Sequence, residues 1–359
     1  MKISKATAKY EAWLRQVIPV VEPDLDFKHE QMRSGAFPFF RATFYRWLQR
    51  FKAEVDSEGA PKVLAVGDLH VENFGTWRDA EGRLVWGIND FDEAGELPYT
   101  QDLIRLASSV ELAVDAGHLS LEPPDACQAI VEGYRDALES AGRPFVLEAD
   151  HGWLRRLATG VERAPDRFWA KMKGLPKLEE TPVEAGLAAL RASLVPQPAE
   201  WDLRSRRAGL GSLGHPRYVA LVELRGAPIA REAKLLAPSS IDWVRDPESS
   251  PQTPIAYRQV VTGAVRSPDP FLLFSGPWVV RRLAPSCSRI ELAMLPAERE
   301  ELKLVRAMGF ELGNVHLGSP KRVRPILKHL DKQAKKWLRK ASESVTVAVV
   351  KDFETFRSP

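Results

Sequence analysis

Polar residues able to do chemistry crowd into two short stretches, Gly67-Asp68-Leu69-His70-Val71-Glu72-Asn73-Phe74-Gly75 and Ile88-Asn89-Asp90-Phe91-Asp92-Glu93-Ala94. Between them, Phe74 to Trp77 and Arg83 to Ile88 flank the polar, glycine-closed segment Arg78-Asp79-Ala80-Glu81-Gly82, which is the pattern of a β-hairpin. Such a ribbon carries Asp90 back beside Asp68 and Asn73. Two carboxylates and an amide oxygen at one end of a hairpin outline a site for Mg²⁺, which prefers oxygen ligands and takes one or two protein carboxylates while phosphate and water complete its octahedron. A carboxylate outside the metal's shell is then free to accept a proton from an attacking hydroxyl. Either aspartate alone would read as a turn cap; the combination carries the argument.

A second motif lies far downstream. Gly209-Leu210-Gly211-Ser212-Leu213-Gly214 fits G-x-G-x-x-G. This pattern also opens dinucleotide-binding folds, but there a hydrophobic strand leads in and a helix follows. Here the strand-like Arg217–Leu224 follows and no hydrophobic strand leads in. Glycines between two strands let backbone N–H groups approach a phosphate with no Cβ in the way. The next strand holds Ile229-Ala230-Arg231-Glu232-Ala233-Lys234, where Lys234 is the candidate to neutralise phosphate and Arg231 competes for that role.

The elements that must hold these groups follow from periodicity. Residues 1–60 read as mostly helical, with Phe44, Trp47, Leu48 and Phe51 at three- and four-residue steps. Val63-Leu64-Ala65-Val66 reads as a buried strand, and helices are expected over Gln101–Gly117, Asp125–Ala141 and around Trp153–Lys173. Pro176, Pro182, Pro196 and Pro198 bracket an alanine-rich helix, Val183–Leu194, which suggests a boundary near 200. Strands are expected over Ile229–Leu236 and, as a pair, within Phe271–Leu283; helices resume from Pro296. The expected organisation is a mostly helical part over 1–200, a β-rich part over 201–295, and C-terminal helices over 296–359.

Composition narrows the class. At 359 residues, with 44% hydrophobic and 28% charged, the chain has room for a large core and excludes wholesale disorder. Two cysteines exclude a disulfide scaffold and a four-cysteine zinc site. No apolar run is long enough for a transmembrane helix, and the charged N-terminus is unlike a signal peptide, so a cytoplasmic protein with no membrane partner is expected. A net charge of +3 does not make nucleic acid a default partner, and the basic run at 321–340 reads first as a solvated helix face.

Asp68-x-x-x-x-Asn73, a hairpin, and Ile88-Asn89-Asp90-Phe91 resemble the catalytic loop and metal-binding segment of the protein-kinase-like fold, nearest its aminoglycoside and choline phosphotransferase branch. The resemblance implies that Asp68 orients or deprotonates an acceptor hydroxyl and that Asn73 and Asp90 hold Mg²⁺ against the phosphates of ATP, with Gly209, Gly211, Ser212, Gly214 and Lys234 binding the nucleotide. It implies that Asp102 braces the catalytic loop and that a helix Glu positions the lysine; the helix following the lysine strand, Tyr257–Arg266, has no Glu, leaving Glu232 and Glu248 as open alternatives. In that family the glycine loop and lysine precede the catalytic loop; here they follow it, so the implied fold is α+β, bilobal and circularly permuted, with a catalytic lobe over 1–200, a nucleotide-binding lobe over 201–295, and helices over 296–359 that return to the catalytic lobe. Arg306–Leu317, with Leu312, Val315 and His316, then resembles the helix that ordinarily leads into the catalytic loop. Together with Met32-Arg33-Ser34 to Phe39-Phe40-Arg41, these motifs also resemble a bacterial family, the domain of unknown function 2252, which implies the fold and no particular substrate.

The function expected is ATP- and Mg²⁺-dependent phosphate transfer to a hydroxyl, of a small molecule because Val66-Gly67-Asp68 replaces the His-Arg-Asp of regulated protein kinases. Two other readings are a catalytically silent nucleotide-binding protein or scaffold, and a metallophosphoesterase suggested by Gly67-Asp68-x-His70, whose companion histidine motifs the chain lacks. His70 is expected to be packed and satisfied, Trp77 and Trp86 to pack the hairpin, and Arg41, Arg105 and Arg282 are candidates to line an acceptor pocket.

Overall fold

The computed structural model describes residues 1–148, 150–158, 164–179, 181–196, 200–248, 255–287 and 300–358. The fold is α+β. In chain order the elements are α1 (Ile3–Val17), α2 (Glu22–Ser34), α3 (Ala36–Ala42), α4 (Phe44–Glu54), β1 (Lys62–Ala65), β2 (Phe74–Arg78), β3 (Leu84–Ile88), β4 (Gly95–Pro98), α5 (Tyr99–Asp115), α6 (Pro123–Glu139), β5 (Phe145–Val146), α7 (Gly152–Ala158), α8 (Pro165–Lys173) and α9 (Glu184–Ala192). They continue with β6 (Asp202–Ser205), β7 (Arg217–Leu224), β8 (Ala227–Leu235), α10 (Ser240–Arg245), α11 (Tyr257–Gly263), β9 (Leu273–Ser275), β10 (Trp278–Leu283), α12 (Glu301–His316), α13 (Val323–Leu330) and α14 (Trp337–Arg357).

Helix α5 is the axis of the helical part. It is buried from Tyr99 to Ala113, and its polar residues Asp102, Arg105, Ser109 and Glu111 are inside because each has a hydrogen-bond partner there. Around it, α3, α6, α12 and α14 close the larger core. Prolines in the first turns of α2 and α6 stand where a missing N–H costs nothing, with Asp24 and Asp125 beside the positive helix ends. Helices α6 and α12 approach so closely that a Cβ on Gly133 would sit 2.0 Å from the Arg306 carbonyl oxygen, and one on Gly309 would sit 2.2 Å from that of Ile130. No larger residue fits either crossing point.

Among the described residues, three antiparallel sheets carry the strands. The expected hairpin is β2–β3, with Phe74 opposite Ile88, and β5 extends it. Trp86 stacks on Phe74 and meets Phe145 edge to face; Trp77 leaves the ribbon to donate from Nε1 to the Ser267 carbonyl at 2.9 Å. β1 pairs with β4, a strand too short and too polar to have been anticipated. The five-stranded sheet has the order β6-β7-β8-β10-β9. The strand pair expected within Phe271–Leu283 is β9–β10, with β10 between β8 and β9. One face of this sheet, with Tyr218, Ala233, Leu235 and Trp278, packs on α1 and α9 as a second core.

Two sequence readings need adjusting. The helix expected over Trp153–Lys173 is two helices, α7 and α8, with 159–163 between them outside the described residues. A strand, β6, does lead into the glycine motif; Asp202-Leu203-Arg204-Ser205 is half-buried and polar, so its hydrophobicity could not announce it. Pro198 and the expected boundary at 295/296 also lie outside the described residues.

Candidate functional site

The loop after β1 is held by buried hydrogen bonds. Asp102, in the first turn of α5, accepts the Val66 N–H at 2.7 Å and the Gly67 N–H at 3.0 Å, and His316 Nε2 at the end of α12 lies 3.0 Å from the same carboxylate. Gly67 has φ +85°, and a Cβ there would lie 2.1 Å from the Glu93 carbonyl oxygen, so glycine is required on both counts. The next turn closes on itself: the His70 N–H donates to Asn73 Oδ1 at 2.6 Å, and the Glu72 N–H donates to His70 Nδ1 at 3.2 Å. The Asn89 N–H then donates to the Asn73 carbonyl at 3.0 Å, so the hairpin delivers Asp90 to the foot of the loop.

Asp68 projects from this loop into a cleft that Asn73, Asp90 and Asp92 also line. Arg105, fully buried on α5, donates to Asp68 Oδ1 from both Nε (2.9 Å) and Nη2. Its guanidinium is packed over Phe40 and against Phe44 and Trp47, with ring centroids at 4.0, 4.9 and 4.9 Å. Burial pushes the Asp68 carboxyl up to about 6 even though Arg105 pulls the other way. Burial likewise lifts Glu93 to about 7, against the hydrogen bonds it accepts from Ser240 and Ser239. Two carboxyls with midpoints near neutrality therefore sit within one cleft.

The glycine motif, more than a hundred residues away in sequence, forms the cleft's other wall. Gly209, Leu210, Gly211 and Ser212 all line it. A Cβ at Gly211 would be 3.1 Å from Asp68 Oδ2, which places that stretch of backbone directly over the carboxylate. Gly209 and Gly214 have φ of +74° and +94°, the left-handed region that favours glycine. Helix α2 fastens the loop: Lys28 Nζ donates to the Gly211 carbonyl at 2.7 Å, and the Val21 N–H donates to the Gly214 carbonyl at 2.8 Å. Arg217 Nη2 donates to Ser212 Oγ at 3.2 Å.

Lys234 on β8 is buried, and its ammonium meets Asp92 Oδ2 at 2.5 Å and Asp90 Oδ1 at 3.8 Å. The alternative candidates lie elsewhere. Arg231, of opposite parity on the strand, has its guanidinium 4.5 Å from the centroid of the Phe271 ring and faces away from the acidic cluster. Neither open candidate for the lysine's partner fills that place: Glu232 is held by Arg217 and Arg206, and Glu248 is exposed. Those two arginines overrule burial and hold Glu232 down at about 2.

The arginine candidates separate too. Arg41 lines the cleft and pairs with Glu72 at 2.6 Å, Arg105 holds Asp68, and Arg282 lies elsewhere, donating to the Arg78 carbonyl and stacking over Phe271. His70 is buried and caps its turn, as expected. Asp92, Glu93 and Lys28 were not singled out from sequence. Asp92 stood two residues from Asp90 inside the acidic stretch, a legible signal, whereas nothing in the polar pattern of α2 marks Lys28.

Among the described residues no three His, Cys, Asp or Glu side chains form a ready-made metal cage. A hard divalent cation held by one or two carboxylates and a substrate's phosphates needs none. The donors here are all oxygens, and Asp92 Oδ1 is buried with no hydrogen-bond donor facing it, as suits a cation.

Residues 21–159 match the model of a family described as an uncharacterized protein conserved in bacteria (DUF2252). The matched span contains Asp68, Asn73, Asp90 and Asp102 and ends before the glycine loop and Lys234. No curated protein and no solved structure matches the chain. No described helix is long and apolar enough to cross a membrane.

Proposed function

We propose that this chain is an ATP- and Mg²⁺-dependent phosphotransferase acting on the hydroxyl of a small molecule, with a circularly permuted kinase-like fold. The observation that carries the reading is the convergence of Asp68, Asn73 and Asp90 with the 209–214 loop on a single cleft. Three further placements support it. Lys234 lies on the third strand of its sheet counted from β6, as the phosphate-binding lysine of protein kinases does. Asp102 bonds the backbone that leads into Asp68, the bracing role expected of it. The C-terminal end of α12 reaches that same brace through His316, so the helix expected to precede the loop abuts it across the break in chain order.

Each residue has a part in the reaction. Asp68 orients the acceptor hydroxyl and takes its proton as the oxygen bonds to the γ-phosphorus and the bond to ADP breaks. Arg105 keeps that carboxylate pointed into the cleft and favours its ionised form. Glycine-loop N–H groups and Lys234 bind the phosphates. Asn73, whose Oδ1 has a second lone pair beside the one used by His70, and Asp90 would hold Mg²⁺, with Asp92 near enough to join them. The metal supplies charge neutralisation on the phosphates.

A silent nucleotide-binding protein is the second reading, favoured by one observation: Asp68 is both gripped by Arg105 and covered by Gly211. Calorimetry with ATP, with and without Mg²⁺, followed by phosphorylation of a metabolite pool, separates them. Asp68→Asn is expected to bind Mg-ATP and lose turnover, while Asp90→Ala loses the Mg²⁺-dependent part of binding. Undiminished turnover in Asp68→Asn would remove the assignment, and binding with no transfer to any acceptor, water included, would establish the silent reading.

A further inference from the structure

The whole-chain charge conceals a strong asymmetry. Residues 321–340 hold nine Lys or Arg against one acid, Asp331, a local +8, so with +3 overall the rest of the chain carries −5. In the structure all of these cations except Arg339 are exposed. Arg339 pairs with Glu111 and Glu343, whereas none of the other eight forms an ion pair with a described residue. The one acid is neutralised from outside, by Arg135 at 2.8 Å. A solvated helix face ordinarily interleaves both signs; this one is single-signed.

The cations sit on a firm support. Helix α13 turns Ile326 and Leu330 into the core and presents Arg324 and Lys328 one helical turn apart, about 6 Å along the axis. Lys332, Lys335 and Lys336 follow on the turn before α14, whose Leu338 is buried. No large apolar side chain stands exposed there to enter a lipid bilayer: the exposed large hydrophobic side chains among the described residues all lie outside 320–340. What remains is a rigid surface of closely spaced, unpaired ammonium and guanidinium groups, which matches a phosphodiester backbone read by charge and not by base.

We infer that the α13–α14 surface is a docking site for nucleic acid, binding the phosphate backbone without sequence preference. It is independent of the phosphotransferase reading, since none of its residues lines the cleft.

The test uses the full chain and fluorescein-labelled duplexes of about 20 base pairs, one DNA and one RNA, followed by anisotropy from about 50 to about 200 mM salt. Wild-type protein is expected to bind with an affinity that falls steeply with salt. The triple variant Lys328→Gln, Lys332→Gln, Lys335→Gln should bind at least about tenfold more weakly at the low-salt end and give a log–log salt slope shallower by about 2.7, at 0.9 per lost phosphate contact. The DNA and RNA arms tell which backbone is preferred. In parallel, bound duplex should protect these lysines from acetylation, a readout that needs no variant. Absence of binding at low salt, an unchanged affinity and slope in the triple variant, unprotected lysines, or tighter binding to phosphatidylserine vesicles than to either duplex would each overturn the inference.

Discussion

At the scale of single residues, the cleft is a problem in keeping carboxylates ionised where water is scarce. Asp68 is caught between burial, which raises its pKa, and Arg105, which lowers it, and burial prevails to give a value of about 6. A base must be deprotonated to work, so kcat/KM should rise about tenfold per pH unit below 6 and level off above it. Glu93, at about 7, is the competing source of such a limb. A profile whose limb stays near 6 in Glu93→Gln assigns it to Asp68; a limb near 7 that moves with this substitution would assign it to Glu93. Stability follows the same groups with a definite sign. The raised pKa values of Asp68 and Glu93 lend stability that is complete below about pH 4 and is lost as pH climbs through 6 and 7. Glu232 runs the other way, contributing fully above about pH 4 and losing its contribution as pH falls toward 2. Asp68, Asn73 and Asp90 were legible because their spacing around a hairpin is itself a geometric statement. Lys234's partner was not: Asp92 is separated from the lysine by more than a hundred residues, and only tertiary packing decides which of several nearby acids it meets.

At the scale of elements, the glycines of α6 and α12 set how closely the site's supports can approach. Helix α12 delivers His316 to Asp102 only because Gly133, Gly309 and Gly313 let it lie almost backbone to backbone on α6. Gly309→Ala would place a methyl group 2.2 Å from a main-chain oxygen that no rotamer change can move. The helices must part, at a cost of about 3 kcal/mol, partly offset by about 1 kcal/mol from alanine's better helix propensity. Denaturant unfolding should therefore show a loss of about 2 kcal/mol, whereas Gly152→Ala, on α7 with open space around it, should be neutral or slightly stabilising. Equal effects of the two would mean that the close crossing is not under strain. These helices were legible from periodicity, as were the hairpin and the strands β7, β8 and β10. The strands missed, β4, β5 and β6, are short or polar, and a strand of two to four residues leaves too few alternations to read. Their existence is imposed by the partner strand and not by their own residues.

At the scale of the whole molecule, the cleft is built from walls that belong to different cores. Asp68, Asn73 and Asp90 stand on the helical core; the glycine loop and Lys234 belong to the five-stranded sheet, whose other face has its own apolar packing with α1 and α9. Polar links cross between them: Lys28 to Gly211, and Lys234 to Asp92 and Asp90. The motifs announced each wall separately, and the helical periodicity of residues 1–60 gave no hint that α2 would fasten the glycine loop. A ligand that touches both walls adds its binding energy to the whole fold. Mg-ATP at about a hundred times its Kd should raise the unfolding free energy by about 2.7 kcal/mol, seen as an upward shift in Tm. Because the proposed metal ligands Asn73 and Asp90 lie on one wall and Lys234 on the other, ATP with EDTA should give a markedly smaller shift, and Asp90→Ala should give the same small shift with or without Mg²⁺. Lys234→Met should reduce the shift under both conditions, since it removes the cation of the sheet wall, even though it also frees Asp92 and Asp90 from their partner. An equal shift in wild-type protein with and without Mg²⁺ would detach the acidic cluster from nucleotide binding, and with it the reason for reading the two walls as one site.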